Sequence, residues 1–417
     1  MVPGRDPAAS LPARGRVASS LRSLGLFLAL ALYGLFSAPA PPEIRMAEAG
    51  IGLLLLLAIG LRRALYVATA HALRDPRLAD WETPAMLALA WLLWVPVLRG
   101  VWVGWAPGDM LRDVVPLLYL FLPVLLVPLL DDDAELAVRR LRWGLMLAGA
   151  AFALRWWKQA NWGFGAVGSR AMADGGVYLL NAPSVLFAAI ALPLSGIRLA
   201  TCGGLAQRLV GAVCLVLGFL CLGALAGAVH RMALGLAAVA FVAVGVWRVR
   251  RAPLAVGLSL LAVAGVVLAF PDMVVGALTQ VAEKNRLAGA NTRWEEAAAV
   301  VALTIADPGS FLFGQGWGAL IANPAVGGWR VSYTHTLPTY ALAKTGLLGV
   351  LALCAYILAL APRALAALRC DPPLAWAVLP PLVMAFGVHT SFKYLDTGLL
   401  LTLLLLAADR RNALSSS

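Results

Sequence analysis

The sequence predicts an all-α integral membrane protein that crosses the bilayer about twelve times. Of its 417 residues, 61% are hydrophobic and only 13% are charged, and the mean hydropathy is +0.84. This composition excludes a soluble domain. The apolar residues come in blocks close to the length that crosses about 30 Å of hydrocarbon. The blocks are rich in Leu and Ala without alternation, which favours helices over a β-barrel.

Twelve such blocks follow one another, and we treat residues 1–417 as a single membrane domain. The predicted spans are 21–38, 46–61, 84–98, 114–130, 142–155, 177–197, 208–228, 231–247, 253–270, 338–361, 372–390 and 396–409.

The basic residues indicate how these spans are oriented. The net charge is +12, and twelve spans place most of the 33 lysines and arginines on the side of the N-terminus. Loops on the cytoplasmic side are enriched in Lys and Arg, so both termini are expected in the cytoplasm. The positive charge is thereby explained by topology, and membrane lipids rather than nucleic acid are the expected partners.

One long polar segment, 271–337, separates the ninth and tenth predicted spans and is expected outside. A helix is predicted at 294–305, with Asn291 or Thr292 as its N-cap. Its apolar face is suited to a membrane surface or to the roof of a cavity. The segment therefore predicts a lid over a cavity that opens sideways into the outer leaflet.

The predicted loop helix is followed by a sequence rich in turn residues. Asp307, with the proline and glycine that follow it, should end the helix. The glycines of Gly314-x-Gly316-x-Gly318 permit tight turns and bending of the lid.

His335 is the first candidate for chemistry in this loop. It lies at the outer interface just before the tenth predicted span. Imidazole is the usual general base near neutral pH. The alternative is that His335 only bonds a loop carbonyl, but the surrounding glycines and arginines favour the base. Tyr333, two residues earlier, is a candidate for substrate binding.

Two arginines are candidates for binding an anion. Arg231 follows a tight turn and opens a span, where helix N–H groups already favour negative charge. Arg293 opens the loop helix. The alternatives are that Arg231 snorkels to phospholipid head groups and that Arg293 is a solvated cation balanced by Glu295 or Glu296.

Other outer segments carry further polar candidates. Lys158 and Arg170 lie in a smaller outer segment at about 156–176 and either add to the anion site or contact only lipid and solvent. Lys393 and Asp396 lie in the last outer turn. They are expected to form a structural ion pair, with a secondary part in substrate binding.

No metal and no cofactor are expected. The run Asp131-Asp132-Asp133 resembles a metal-binding cluster, but the predicted topology places it inside, away from His335. The outer segments show no carboxylate pair suited to glycoside hydrolysis, and the chain shows no nucleotide-binding glycine loop.

Four motifs follow one another between positions 231 and 349. They are His230-Arg231-Met232-Ala233, Arg293-Trp294, Asp307-Pro308 through Phe313-Gly314-Gln315-Gly316, and, after His335, Lys344-Thr345-Gly346-Leu347-Leu348-Gly349. In this order and spacing they resemble the O-antigen ligase family and its relatives, the O-antigen polymerases and protein O-oligosaccharyltransferases. Two positions depart from the family pattern. Thr336 stands where relatives often carry Asn or Ser, and His230 stands where serine is common.

The resemblance implies a GT-C-like glycosyltransferase of the bacterial inner membrane with a periplasmic active site. The implied donor is a glycan on undecaprenyl pyrophosphate, and for a ligase the acceptor is a sugar hydroxyl of lipid A–core. The implied reaction is an inverting, metal-independent displacement, with His335 as base and Arg231 and Arg293 on the pyrophosphate. Polymerase and protein-glycosylating activities stay open. A transporter or flippase of an anionic lipid-linked glycan is the alternative from another class.

Overall fold

The computed structural model describes residues 13–39, 45–74, 78–160, 176–202, 204–249, 257, 261 and 293–415. Helix dominates this part of the chain, where one two-stranded sheet is the only β structure. Several of the helices are long and apolar enough to cross a membrane. The protein is therefore an all-α, multi-pass membrane protein, as the composition predicts.

The helices before the long loop follow the predicted apolar blocks. They are α1 (Ala13–Phe36), α2 (Met46–Ile59), α3 (Leu61–Ala68), α4 (Glu82–Val103), α5 (Pro107–Leu120), α6 (Leu122–Leu130), α7 (Ala134–Gln159), α8 (Pro183–Cys202), α9 (Leu205–Gly227) and α10 (Arg231–Val249). Of the predicted span 253–270, only residues 257 and 261 are described.

The second part of the chain forms the loop and the last helices. It contains α11 (Arg293–Ile305), α12 (Pro308–Phe313), β1 (Ile321–Asn323), β2 (Trp329–Val331), α13 (Leu337–Cys370), α14 (Pro372–Gly387) and α15 (Leu395–Ser415). Short 3₁₀ helices occupy His71–Arg74, Asp131–Asp133, Gly176–Asn181, Pro324–Val326 and Thr390–Lys393.

The described residues hold seven helical stretches that qualify as membrane spans, or eight if α2 and α3 count as one. These two helices meet at Gly60 with a bend of 78°, and the positive φ of Gly60 (80°) allows that bend. α5, α6 and α7 follow one another so closely that 107–159 counts as one stretch, while α14 and α15 are shorter apolar helices. The count of twelve spans therefore stays a prediction.

The packing of α7 against α1 defines the two ends of the helix bundle. At one end, Arg140 Nη1 donates to the Ser20 carbonyl over 2.5 Å. At the other end, Arg155 Nη1 donates to the Ser37 carbonyl over 2.5 Å. Below we call the end with Ser37 the site end and the end with Ser20 the opposite end.

The loop helices form largely as predicted. α11 covers the predicted 294–305, and its proposed caps Asn291 and Thr292 lie outside the described residues. Asp307 does more than end α11, because its Oδ1 accepts from the Ser310 N–H over 2.9 Å and so caps α12. The β1–β2 hairpin was not predicted, since each strand has only three residues and shows no clear alternation.

A break in α13 receives the glycine segment of the loop. Gly346 has φ 65° and ψ −167°, which interrupts the helix. The carbonyls just before the break, those of Ala343 and Lys344, accept hydrogen bonds from the N–H groups of Gln315 and Gly316, both over 2.9 Å. The loop backbone is therefore fastened directly to the backbone of a span.

A second break, in α4, holds the other side of the same segment. Pro96 has no N–H and so cannot bond the carbonyl of Leu92 within the helix. Trp317 supplies the missing donor, since its Nε1 bonds the Leu92 carbonyl over 2.8 Å and its backbone N bonds the Pro96 carbonyl over 3.0 Å. Arg99 adds a hydrogen bond to the Gly314 carbonyl.

The three loop glycines have the tight turns that the sequence predicts, but they serve close packing rather than bending of a lid. Gly314, Gly316 and Gly318 have φ values of 68°, 83° and 90°, which a residue with a Cβ adopts only at a cost. A Cβ at Gly314 would also lie 2.5 Å from the backbone carbon of Lys344. This part of the loop is wedged between α4 and α13.

Candidate functional site

The centre of the candidate site is a pair formed by His335 and Glu296. His335 Nδ1 lies 2.7 Å from Glu296 Oε2, and the His335 backbone N–H donates to Glu296 Oε1 over 2.8 Å. An ionised carboxylate can only accept, so Nδ1 carries the proton, and in the neutral imidazole Nε2 is then the nitrogen with the lone pair. The side chain of His335 is 24% exposed, and that of Glu296 only 3%. One nitrogen is therefore held by the protein while the imidazole stays accessible.

Glu296 is the functional residue that the sequence did not reveal. In the sequence it stands out only as one of two acids, with Glu295, that could balance a solvated Arg293. The structure instead buries it, on the same face of α11 as Val300 and Thr304. A signal was available, because positions 296, 300 and 304 form a stripe at helical spacing. A carboxylate on such a stripe needs a buried partner.

Tyr333 lies beside the histidine, where the sequence places it. Its ring centroid is 6.1 Å from that of His335, at an interplanar angle of 81°. The side chain is half-buried, and burial raises the pKa of Tyr333, with smaller contributions from Tyr178 and Glu296. Tyr333 is therefore placed to contact whatever reaches His335.

Arg293 begins α11, one turn before Glu296, and is half-buried. The groups near Arg293 can be inferred from the pKa of His389, a residue in the connection between α14 and α15. Burial lowers the pKa of His389 to about 3, and the positive charges of His230, His335 and Arg293 lower it further. Such effects fall with distance, so the start of α11, the turn before α10 and His335 all lie near this connection.

Arg231 occupies the position that the sequence predicts. The α9–α10 connection is only three residues long, with Val229 at a positive φ of 53°. Arg231 is the first residue of α10, and its side chain is exposed. The structure brings the neighbouring His230 towards His389, whereas the convergence of Arg231 and Arg293 on one ligand stays a prediction.

Lys393 pairs with Asp113 of α5, over 3.6 Å, and not with Asp396 as expected. It also donates to the Ser332 carbonyl over 3.0 Å. Burial lowers the pKa of Lys393 to about 7; Lys344 and Arg112 act in the same direction, and Asp113 opposes them.

Asp113 is the hub of a buried network that the sequence did not predict. Both Asp113 and Lys344 are fully buried, with Lys344 Nζ 2.5 Å from Asp113 Oδ2. Asp113 also accepts from the Tyr340 hydroxyl over 2.7 Å and from the Gly318 N–H over 2.9 Å. Lys344 donates in addition to the Ala319 carbonyl. This network fixes both ends of the 318–332 segment to the spans.

Asp396 has a structural position away from His335. It is fully buried at the start of α15. Its Oδ2 accepts from the Ser184 N–H over 2.8 Å, and its Oδ1 lies 3.5 Å from the Tyr33 hydroxyl. The carboxylate thus serves the N-terminus of α8, where negative charge is favourable. The structure gives it no contact with the candidate site.

Of the two remaining basic candidates, the structure describes one. Lys158 is exposed near the C-terminal end of α7. Arg170 lies outside the described residues.

The aspartate run lies at the opposite end of the bundle, as predicted. A Cβ at Gly15 would lie 3.1 Å from Asp132 Oδ2, and Ser19 contacts the Leu130 carbonyl. Among the described residues, no three His, Cys, Asp or Glu side chains are grouped so that they could hold a metal ion. Independence from metal stays a prediction.

An apolar cleft borders the buried network, and its lining includes Leu92, Asp113, Trp317, Tyr340 and Phe392. His335 is not among its lining residues. The cavity that the sequence predicts under the loop, open sideways to the outer leaflet, stays a prediction.

No protein-family model matches this chain, and no curated protein matches it either.

Proposed function

We propose that this protein is a glycosyltransferase of the O-antigen ligase type, acting at the periplasmic face of the bacterial inner membrane. The observation that carries the proposal is the Glu296–His335 pair. A histidine whose Nδ1 is held by a buried carboxylate, and whose ring remains accessible, is suited to general-base chemistry. The loop that carries the pair is fastened to the spans at two helix breaks, which keeps the base in a fixed position.

The proposed reaction joins a lipid-linked glycan to a hydroxyl group. The acceptor oxygen forms a bond to the anomeric carbon and gives its proton to His335 Nε2. The bond from that carbon to the pyrophosphate oxygen breaks, and its electron pair leaves with the pyrophosphate. Displacement by one nucleophile inverts the anomeric centre. Glu296 stabilises the imidazolium that forms, in the way a buried acid supports a catalytic histidine.

The leaving pyrophosphate needs positive charge, which the neighbourhood of Arg293 supplies. An arginine holds phosphate oxygens through fixed, paired donors. The turn before α10 lies near the same region, since His230 and Arg293 both act electrostatically on His389. Arg231, next to His230, is the second arginine proposed for the donor. Together these groups favour an undecaprenyl-pyrophosphate-linked glycan as the donor.

The proposed acceptor is a sugar hydroxyl of lipid A–core. A growing glycan or a protein hydroxyl would use the same base, so polymerase and protein O-oligosaccharyltransferase activities remain alternatives. Membrane lipids surround the spans, and both termini are proposed to lie in the cytoplasm.

The test is transfer in vitro with purified protein, a defined undecaprenyl-pyrophosphate-linked glycan and purified lipid A–core. Expected results are product formation, full activity in excess EDTA and loss of activity in His335→Ala. His71→Ala is the matched control, because His71 lies in the connection before α4, at the other end of that helix from the loop. Absence of transfer to lipid A–core, to a glycan and to a protein would refute the proposal.

A transporter of an anionic lipid-linked glycan is the second candidate, and one observation favours it. Ionisable residues buried among membrane spans often mark a transport pathway, and Asp113 and Lys344 are fully buried. The two functions differ in a simple measurement. A transferase releases undecaprenyl pyrophosphate in detergent solution, whereas a transporter needs a sealed vesicle and leaves the glycan attached to its carrier.

A further inference from the structure

Asn323 is a completely buried asparagine at the end of β1. Its Oδ1 accepts from the Ala325 N–H over 2.9 Å. Its Nδ2 lies 3.0 Å from Glu296 Oε1 and 3.4 Å from the Tyr333 carbonyl. The partner on one side is a donor and the partners on the other side are acceptors, so only one orientation of the amide satisfies all three.

This amide completes the hydrogen bonding of the Glu296 carboxylate. Oε1 receives two donors, the Asn323 amide and the His335 backbone N–H, and Oε2 faces His335 Nδ1. Three fixed donors prevent the carboxylate from rotating about its last side-chain bond. Without the amide, Oε1 would keep only the His335 backbone donor, which moves with the histidine itself.

We propose that Asn323 is a positioning residue of the site, whose side-chain amide locks Glu296 in the orientation that holds the proton of His335 on Nδ1. This inference rests on the proposed function, and it identifies a residue that acts on the base only through Glu296. The hairpin explains its position, because the β1–β2 register places Asn323 opposite Trp329 and the Asn323 carbonyl accepts from the Gly328 N–H.

The decisive variant is Asn323→Asp. It keeps an oxygen for the Ala325 N–H and nearly the same shape, but it replaces the donor towards Glu296 with an acceptor. Two carboxylates would then face each other. We expect the Glu296 carboxylate to turn away. The fraction of His335 that carries its proton on Nδ1 rather than on Nε2 should then fall. Asn323→Ala should have a smaller effect in the same direction.

The readout is ¹⁵N NMR of histidine-labelled protein in detergent. The chain has only 4 histidines, and His335→Gln assigns the signal of interest. The titratable groups near His335 are Glu296, Tyr333 and His389, so a change confined to the Asn323 variants is attributable to the carboxylate. The expected result is a lower share of the Nδ1-protonated tautomer of His335 in Asn323→Asp, read from its ¹⁵N chemical shifts.

Turnover supplies the second readout. We expect kcat to fall roughly tenfold in Asn323→Ala with KM nearly unchanged, because a positioned base acts in the transition state. Thr304→Val is the matched control. It changes a buried side chain on the same face of α11, two turns from Glu296, and should alter neither readout.

An unchanged tautomer ratio of His335 in Asn323→Asp would overturn the inference, whatever the activity of the protein. A changed tautomer in a protein without transferase activity would uphold the positioning role and refute the proposed function. If Asn323→Ala failed to fold, Asn323→Asp would carry the test, because it keeps the acceptor of the hairpin.

Discussion

The site end of the bundle holds two carboxylate–base pairs. In each pair the two groups lie close together, but the two pairs differ greatly in burial. Asp113 and Lys344 are 2.5 Å apart, and both side chains are 0% exposed. Glu296 and His335 are 2.7 Å apart, with the histidine 24% exposed. Distance alone does not distinguish them. The sealed pair, Asp113 and Lys344, has no exposed side-chain surface for a ligand to reach, whereas the open pair, Glu296 and His335, can exchange a proton with a ligand.

The largest expected effect concerns the open pair. His335→Ala should lower the rate of glycan transfer by about 10²–10⁴-fold, because a positioned base is lost. The thermal midpoint in detergent should change little, since the imidazole is partly exposed. An intact, correctly inserted variant with turnover near that of the wild type would show that His335 is not the base.

Substitution in the sealed pair should instead lower stability. Asp113→Ala leaves Lys344 buried without its counter-charge, which typically costs about 3–5 kcal/mol. The midpoint of thermal unfolding should fall strongly. The double variant Asp113→Ala, Lys344→Met should recover much of this loss, because it removes both charges. Equal stability of the single and double variants would contradict the structural role of the pair.

The arginine beside the open pair should show an intermediate effect. Arg293→Lys keeps the charge but loses the planar pair of donors that suits a phosphate. We expect the rate to fall by roughly 10–100-fold, the equivalent of one or two lost charge-assisted hydrogen bonds. Arg112→Lys, at an exposed position of α5, is the control for the same conservative change away from Arg293. Wild-type kinetics in Arg293→Lys would remove Arg293 from the donor site.

The smallest effect is a pH dependence of stability from Lys393. Burial lowers its pKa from 10.5 to about 7 in the folded protein, so between these values the unfolded chain binds more protons. Stability attributable to Lys393 should therefore rise with pH from about 7 to 10.5, by at most about 1.4 kcal/mol per pH unit. Thermal unfolding across this range should show the slope in the wild type and lose it in Lys393→Met.

The helices were predictable because each is encoded locally. Arg231 opens α10 and the 294–305 helix forms as expected, since apolar periodicity and turn residues act over a few positions. The span count was harder, because Pro96 sits inside a helix while Phe121 separates two that nearly join. A proline within an apolar block does not reveal whether the span continues past it, and Phe121 looks like an ordinary apolar residue.

The site was predictable only in part, because its partners are distant in sequence. His335 and Arg293 were identified from their residue types and their place in the loop. Glu296 is 39 positions from His335 and Asp113 is 231 from Lys344. No local pattern reports such pairings, and Lys393 was accordingly assigned to the nearest acid, Asp396, instead of the distant Asp113.

The break at Gly346 fixes the length of the helical segment before it. From Leu337 to the break, α13 sets the distance between His335, which lies just before the segment, and the loop glycines, which contact the helix at the break. One inserted residue would rotate the histidine by about 100° and displace it by about 1.5 Å, which would part it from Glu296. Substitutions in this segment at positions other than Tyr340 and Lys344, which bond Asp113, would leave that alignment intact. The site should therefore tolerate substitutions at those positions but not the insertion or deletion of a single residue.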